Sequence, residues 1–281
     1  MIDLHAHTTC SDGTDSPRAL VNVALIRGIT TLAITDHDSI AGWQEASNAI
    51  RAGLKLVPGA EISCLTTDGI SVHMLGLLFD GADKAILQML EETRDGRIPR
   101  MKKMIELLNA DGIDVSMDDV DAARPEGATL GRPHLADALV ARGFIASRDE
   151  AFQGLLNNDS KFYVSHLAPT PESAIAQIRS AGGVAVIAHA FASHRGEVLK
   201  SEAFTSLVKA GLNGIEVDHR DHNAQERSML REIALDLGLV VTGSSDYHGS
   251  GKLNSLGENT TDAQEWERLE SMADKRRVVQ A

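Results

Sequence analysis

The chain opens Met1-Ile2-Asp3-Leu4-His5-Ala6-His7, a short apolar run that ends in two histidines one residue apart. On an extended strand side chains alternate, so His5 and His7 project to the same face. Two imidazoles on one face can grip one divalent cation. The same grouping of imidazole and carboxylate recurs at or near later apolar segments, at Asp36-His37-Asp38, Glu61, His73, His189 and Asp246-Tyr247-His248.

Those segments set the architecture. Residues 2–4, 31–35, 54–57, 72–79, 184–188, 214–217 and 239–243 read as strands, with helical patterns between most of them. Ser16-Pro17 and Thr170-Pro171-Glu172 are helix starts, with a hydroxyl as cap and proline in the first turn. Helices are expected at about 39–52, 224–237 and 263–275. After residue 57, Pro58-Gly59-Ala60 reads as a connection leading to Glu61. Alternating β and α units imply a parallel sheet covered by helices, either a barrel or a doubly wound sheet. The candidate ligands fall at strand C-termini, which share one face of a barrel, and this favours the barrel. Residues 97–166 break the rhythm. Their periodicity (Met101, Met104, Ile105, Leu108) is helical, so they are expected to form a helical insertion subdomain, with 1–96 and 167–281 making the barrel.

The formal net charge of −13 argues against a broad electrostatic grip on long nucleic acid. Two or three bound divalent cations would restore about +4 to +6 at one spot and let an acidic chain hold a phosphate there. Two cysteines, Cys10 and Cys64, make no disulfide framework. No apolar stretch is long enough to cross a bilayer. Together with an opening that lacks a leader-like pattern, this gives the expectation of a cytoplasmic protein. Cys10 is expected to be structural, and Trp43 and Trp266 to be packing residues.

A lone histidine is more often a surface or hydrogen-bonded residue than a ligand. The argument here is collective: His5, His7, His37, His73, His189 and His248 all lie at strand ends or in an apolar strand, where an unpartnered imidazole is costly. A shared metal cluster satisfies them together. Imidazole with carboxylate suits Mn²⁺, Zn²⁺ or Fe²⁺ rather than an all-oxygen Ca²⁺ cage.

Asp3-Leu4-His5-Ala6-His7, Thr35-Asp36-His37-Asp38, Gly59-Ala60-Glu61, His73, Ala188-His189 and Ser245-Asp246-Tyr247-His248 occur in the order found in the polymerase and histidinol phosphatase (PHP) family of the amidohydrolase superfamily. The chain resembles that family over nearly its whole length. The resemblance implies a distorted (β/α)₇ barrel with two or three divalent metal ions, Mn²⁺ first. His5, His7, Glu61 and Asp246 would hold one; Glu61, His73 and His189 a second; Asp12, His37 and His248 a third. Many relatives have histidine where this chain has Asp12, and His189-Ala190 replaces the His-Pro of other members.

Gly131-Arg132-Pro133-His134 resembles the motif of the small PHP phosphoesterases that act on nucleotides, of the 3′,5′-nucleotide bisphosphate phosphatase type. That likeness implies that Arg132 and His134 reach substrate phosphate, since an arginine fork pairs two phosphate oxygens. Lys161, His194, Arg195 and His222 are weaker candidates for contacting the nucleotide, and His134 and His194 for protonating the leaving group. The expected reaction is removal of the 3′-phosphate of a nucleoside 3′,5′-bisphosphate by a metal-bound hydroxide. The alternatives are 5′→3′ exonuclease action on short RNA, histidinol phosphate hydrolysis, and a non-catalytic metal-binding module. The expected partner is thus a small phosphorylated nucleotide or short RNA, with no long nucleic acid and no membrane.

Overall fold

The computed structural model describes residues 1–193, 196–274 and 278–281. Strands β1 (Ile2–Asp3), β2 (Thr31–Ile34), β3 (Lys55–Leu65), β4 (Ser71–Leu77), β5 (Val184–Ala188), β6 (Gly214–Asp218) and β7 (Val240–Gly243) pair in sequence order. The chain after β1 meets the chain after β7, where His7 N donates to Tyr247 O at 2.8 Å. The seven strands thus form a nearly closed barrel. Helices α1 (Pro17–Ile26) and α2 (Trp43–Ala49) cover the first half. Helices α7 (Pro171–Ser180), α8 (Ala203–Ala210), α9 (Ala224–Leu237) and α10 (Ala263–Ser271) cover the second. Ser16 Oγ accepts from Ala19 N and Thr170 Oγ1 from Ser173 N, as the cap signals predict.

Two strand expectations need correction. The sheet is not all parallel: β4 runs antiparallel to both β3 and β5. The link from β3 to β4 is a tight turn in which Thr66 N bonds Ile70 O and Gly69 takes a left-handed φ of 91°, and so short a link can only join antiparallel neighbours. Glu61 is also not beyond a strand end but in the middle of β3. Pro58-Gly59 lies inside that strand: Pro58 pairs with Ile34 at the end of the β2 ladder. A Cβ on Gly59 would sit 2.7 Å from Leu77 Cδ2, so glycine there permits close strand packing rather than a turn.

The helix expected from residue 39 begins only at Trp43. Asp38 takes a left-handed φ of 49°, and its carboxylate accepts from Ser63 N, so the chain leaves β2 in a turn. Trp43 Nε1 donates to Gly59 O, and Trp266 is buried in the barrel interior cluster, so both tryptophans pack. Cys64 is buried and Cys10 half-buried; they are not joined.

Between β4 and α7 come α3 (Lys84–Ala110), α4 (Met117–Ala123), α5 (Arg132–Ala141) and α6 (Arg148–Gln153). Residue 97 falls inside α3. The first half of this helix buries Ile86, Met89 and Leu90 against the barrel. Its second half buries Met101, Met104, Ile105 and Leu108 in a separate cluster with Leu130, Leu135 and Leu139. One helix therefore ties two hydrophobic cores together.

Candidate metal centre

The strands deliver their polar ends to one rim of the barrel. His5 and His7 follow β1, His37 follows β2, and His189 follows β5. Because β4 is antiparallel, its third residue reaches the same rim: His73 pairs with Ser63 on one side and Ala188 on the other.

Glu61 is the centre of the array. Its Oε2 lies 3.2 Å from His5 Nε2, 3.0 Å from His7 Nε2 and 3.2 Å from His37 Nδ1. Its Oε1 lies 2.7 Å from His73 Nδ1 and 3.0 Å from His189 Nε2. Asp246 Oδ1 completes the first group, 3.5 Å from His5 Nε2 and 3.4 Å from His7 Nε2. Asp12 gathers another group, with Oδ1 3.3 Å from His248 Nε2 and Oδ2 3.7 Å from His37 Nε2. The donor atoms thus fall into three groups: His5, His7, Glu61 and Asp246; His37, Glu61 and His73; and His7, Asp12, His37 and His248. His189 joins the second through Glu61. His37 stands between the second and third, and His7 between the first and third.

The electrostatics suit cations. Burial opposes ionisation of Glu61, but His37, His73 and His5 outweigh it and hold the carboxyl well below its usual range. Asp12 is likewise held low, against burial, by His248 and His37. Burial, with Lys252 nearby, pushes His248 down to about 4, so its imidazole is neutral and its lone pair is available. Asp12 Oδ1, His37 Nδ1 and His248 Nε2 are buried and make no hydrogen bond among the described residues. Five imidazoles converge on one carboxylate, and the first two approach with 3.0 Å between their Nε2 atoms. Mixed nitrogen and oxygen donors in this arrangement fit divalent transition metals. Positive φ at His189 (31°) and Asp246 (51°) marks backbone strained to aim these side chains.

Sequence reasoning missed the residues that hold the ligands. Glu216 on β6 accepts from His5 Nδ1 at 3.0 Å and from His189 N at 2.8 Å, which turns the His5 Nε2 toward the site. His219 presents Nε2 3.4 Å from Asp246 Oδ2, and Lys252 Nζ donates to that oxygen at 2.8 Å. Arg97 on α3 donates to Asp38 Oδ2 from Nε at 2.9 Å and Nη2 at 2.6 Å. A carboxylate inside the apolar run of β6 was the one available signal for Glu216. The others depend on chain closure.

The nucleotide-contact candidates scatter. Arg132 lines a cavity of about 730 Å³ that Asp12, His37, His73, His189 and His248 also line. Its Nη1 donates to Leu156 O and Asn158 Oδ1. His134 does not line that cavity. It is buried, with Nδ1 accepting from Gly131 N and Nε2 donating to Ser11 O, so neither nitrogen is available to a leaving group. His222 is equally committed, donating from Nδ1 to Val217 O and accepting at Nε2 from Phe191 N. Lys161 is exposed and pairs with Asp111 at 2.6 Å. His194 and Arg195 lie outside the described residues.

Residues 3–167 match the PHP domain. The chain belongs to the PHP family. It is 33% identical over 252 residues to a 3′,5′-nucleoside bisphosphate phosphatase of Chromobacterium violaceum, covering 89% of this chain and 88% of that one. It is 31% identical over 258 residues to a 5′-3′ exoribonuclease of Haemophilus influenzae, covering 92% and 93%. The crystal structure of a predicted metal-dependent phosphoesterase from Bifidobacterium adolescentis superimposes with a TM-score of 0.91 at 41% identity, covering 97% and 96% of the two chains. This PHP protein is a metal-dependent phosphoester hydrolase. No helix among the described residues is long and apolar enough to cross a membrane.

Proposed function

We propose that the chain is a phosphomonoesterase that removes the 3′-phosphate from nucleoside 3′,5′-bisphosphates. The observation that carries this reading is a cavity lined both by Asp12, His37, His73, His189 and His248 of the ligand groups and by Arg132 of the helical segment. A cavity of this volume suits a mononucleotide, and the similarity to the bisphosphate phosphatase of C. violaceum supports that substrate class.

His5, His7, Glu61 and Asp246 would hold one cation. Glu61, His73 and His189, with His37 beside them, would hold a second, and Asp12, His37 and His248 a third; Mn²⁺ is the preferred ion. Bound divalent cations supply Lewis acidity and lower the pKa of water toward ~7. The chain supplies the rest. Glu216 fixes the orientation of His5, and Lys252 and His219 flank the far oxygen of Asp246 so that Oδ1 faces the site. Arg132 gives a phosphate-binding guanidinium, and the helical segment of about 97–166 forms the wall that closes over the substrate.

The similarity to exoribonucleases favours a second reading, stepwise cleavage of short RNA by the same centre. One screen separates them. Protein loaded with Mn²⁺ is offered adenosine 3′,5′-bisphosphate, histidinol phosphate, a generic aryl phosphate and a short 5′-phosphorylated RNA. Fast phosphate release from the bisphosphate alone supports the proposal. Equal release from every monoester sinks it, and mononucleotides released from RNA without inorganic phosphate favour the exonuclease.

A further inference from the structure

Lys252 brings a positive charge to the edge of the ligand groups. Its Nζ donates to Asp246 Oδ2 at 2.8 Å, and the other oxygen of that carboxylate lies 3.5 Å from His5 Nε2 and 3.4 Å from His7 Nε2. The Lys252 side chain is 31% exposed and lines the cavity that His73, His189 and His248 also line. The chain on either side of it is pinned. Before it, Ser250 N donates to Thr14 Oγ1 at 2.8 Å and Gly251 N to His248 O at 3.2 Å. After it, Arg220 Nη1 donates to Leu253 O at 2.8 Å, and Asn254 Nδ2 to Ser245 O at 2.7 Å. The ammonium is therefore carried on a fixed loop at the rim where the ligands gather.

Holding Asp246 does not account for the charge. His219 Nε2 lies 3.4 Å from the same Oδ2, so an imidazole flanks that oxygen without Lys252. A fixed ammonium works against divalent cations bound through the other oxygen, because like charges a few ångströms apart repel strongly away from bulk water. An anion placed between them removes that cost. An ammonium has three N–H donors, and among the described residues the hydrogen bond that Lys252 makes is the one to Asp246. Two donors are left for a ligand in the cavity.

We propose that Lys252 is a catalytic residue, whose ammonium bonds the non-bridging oxygens of the phosphoryl group that is hydrolysed. It donates hydrogen bonds and transfers no proton. Negative charge on those oxygens is stabilised by a donor already in place, with no reorganisation at the moment of reaction. Lysine serves there as a compact point charge with freely turning donors. The proposal rests on phosphoester hydrolysis in general, and it holds for a nucleoside bisphosphate and for short RNA alike.

The test uses Lys252→Met, which keeps the reach of the side chain, and Lys252→Arg, which keeps its charge, both loaded with Mn²⁺. The substrate is whichever of adenosine 3′,5′-bisphosphate and short 5′-phosphorylated RNA the wild type cleaves. Lys252→Met should lower kcat by about 100- to 1,000-fold, the loss of one preorganised donor. Lys252→Arg should recover part of it. Competition against a chelator should show that Lys252→Met holds its cations as tightly as wild type or more tightly, since a repelling charge is gone and His219 remains. Loss of cations from Lys252→Met overturns the proposal, because the residue then acts only by holding Asp246. An unmoved kcat overturns it as well.

A second arm needs no turnover. Inorganic phosphate is titrated by calorimetry onto the same Mn²⁺-loaded proteins. It should bind Lys252→Met about 10- to 100-fold more weakly than wild type, the loss of a charge-assisted contact, with Lys252→Arg between. If the wild type cleaves neither substrate, this difference with cations retained still upholds the contact. Equal phosphate affinity in wild type and Lys252→Met, or no binding to wild type, overturns it whatever kcat does.

Discussion

His134 Nε2 lies 3.1 Å from the carbonyl oxygen of Ser11, a contact between the helical segment and the loop that carries Asp12. It is the middle one of three. Thr129 N donates to Cys10 O at 3.0 Å, and Arg148 Nη1 donates to Asp12 O at 3.0 Å. Three consecutive carbonyls of the loop are therefore held from outside the barrel. Arg148 is itself fixed by a forked pair with Asp137. From within, Ser11 Oγ and Thr8 bond Asp36, and a Cβ on Gly13 would meet His7 O at 2.6 Å, so the loop lies tightly on the ligand strand.

His134→Ala should therefore loosen Asp12 before it disturbs Glu61. The expected result is loss of one bound cation per chain while the others remain, read by elemental analysis after dialysis. A stability loss of about 1–3 kcal/mol should accompany it, the cost of leaving a buried polar group unpaired. Unchanged metal content would show that the loop holds its position without the clamp.

Glu216 acts through His5. Glu216→Gln keeps the size and an acceptor but removes the charge that fixes the Nδ1–H tautomer. Metal affinity at the group formed with His7, Glu61 and Asp246 should fall by about 10- to 100-fold. Competition against a chelator of known affinity measures this, and the third group should be unaffected.

Arg97 and Asp38 form a buried pair at 2.6 Å, with side chains 8% and 0% exposed. Arg97→Met strands a carboxylate that keeps only the donors of Ser63, and breaking such a pair costs about 3–5 kcal/mol. Denaturant melting should show the loss. Asp38 adjoins His37, so weaker metal retention should appear with it.

Protons compete with metal at His7. Burial lowers its pKa, but hydrogen bonds with Asp246 and Glu61 outweigh this and raise it to about 9. In the ion-free protein His7 is thus protonated below that pH, and a cation must displace the proton. Affinity at this group should climb as pH rises toward about 9, by about tenfold per pH unit for each proton displaced. Calorimetry in buffers of different ionisation enthalpy should register proton release below about pH 9.

Much of the site was legible because ligand chemistry is local. His5-Ala6-His7 announces a shared face by strand alternation alone, and Asp246-Tyr247-His248 echoes the spacing. Pro58-Gly59 misled for a related reason. Both residues usually punctuate strands, and only the close approach of Leu77 shows why they sit inside one here. Arg132 and His134 stand two apart in one motif yet face different places: Arg132 lines the cavity, whereas His134 is buried against Ser11. Helix geometry puts such neighbours about 200° apart around the axis, and no pattern in the chain says which of them faces substrate.

What the sequence determined by itself was the kind of chemistry and the order of strands and helices, because residue type, periodicity and caps act over a few residues. Tertiary structure decided that Glu61 lies among five imidazoles, that an antiparallel β4 brings His73 to the rim, and that Glu216 orients His5. It also decided that the helical segment grips the Asp12 loop. Each of these joins residues far apart in the chain, and such contacts exist only once the barrel closes and its two cores are tied together by one helix.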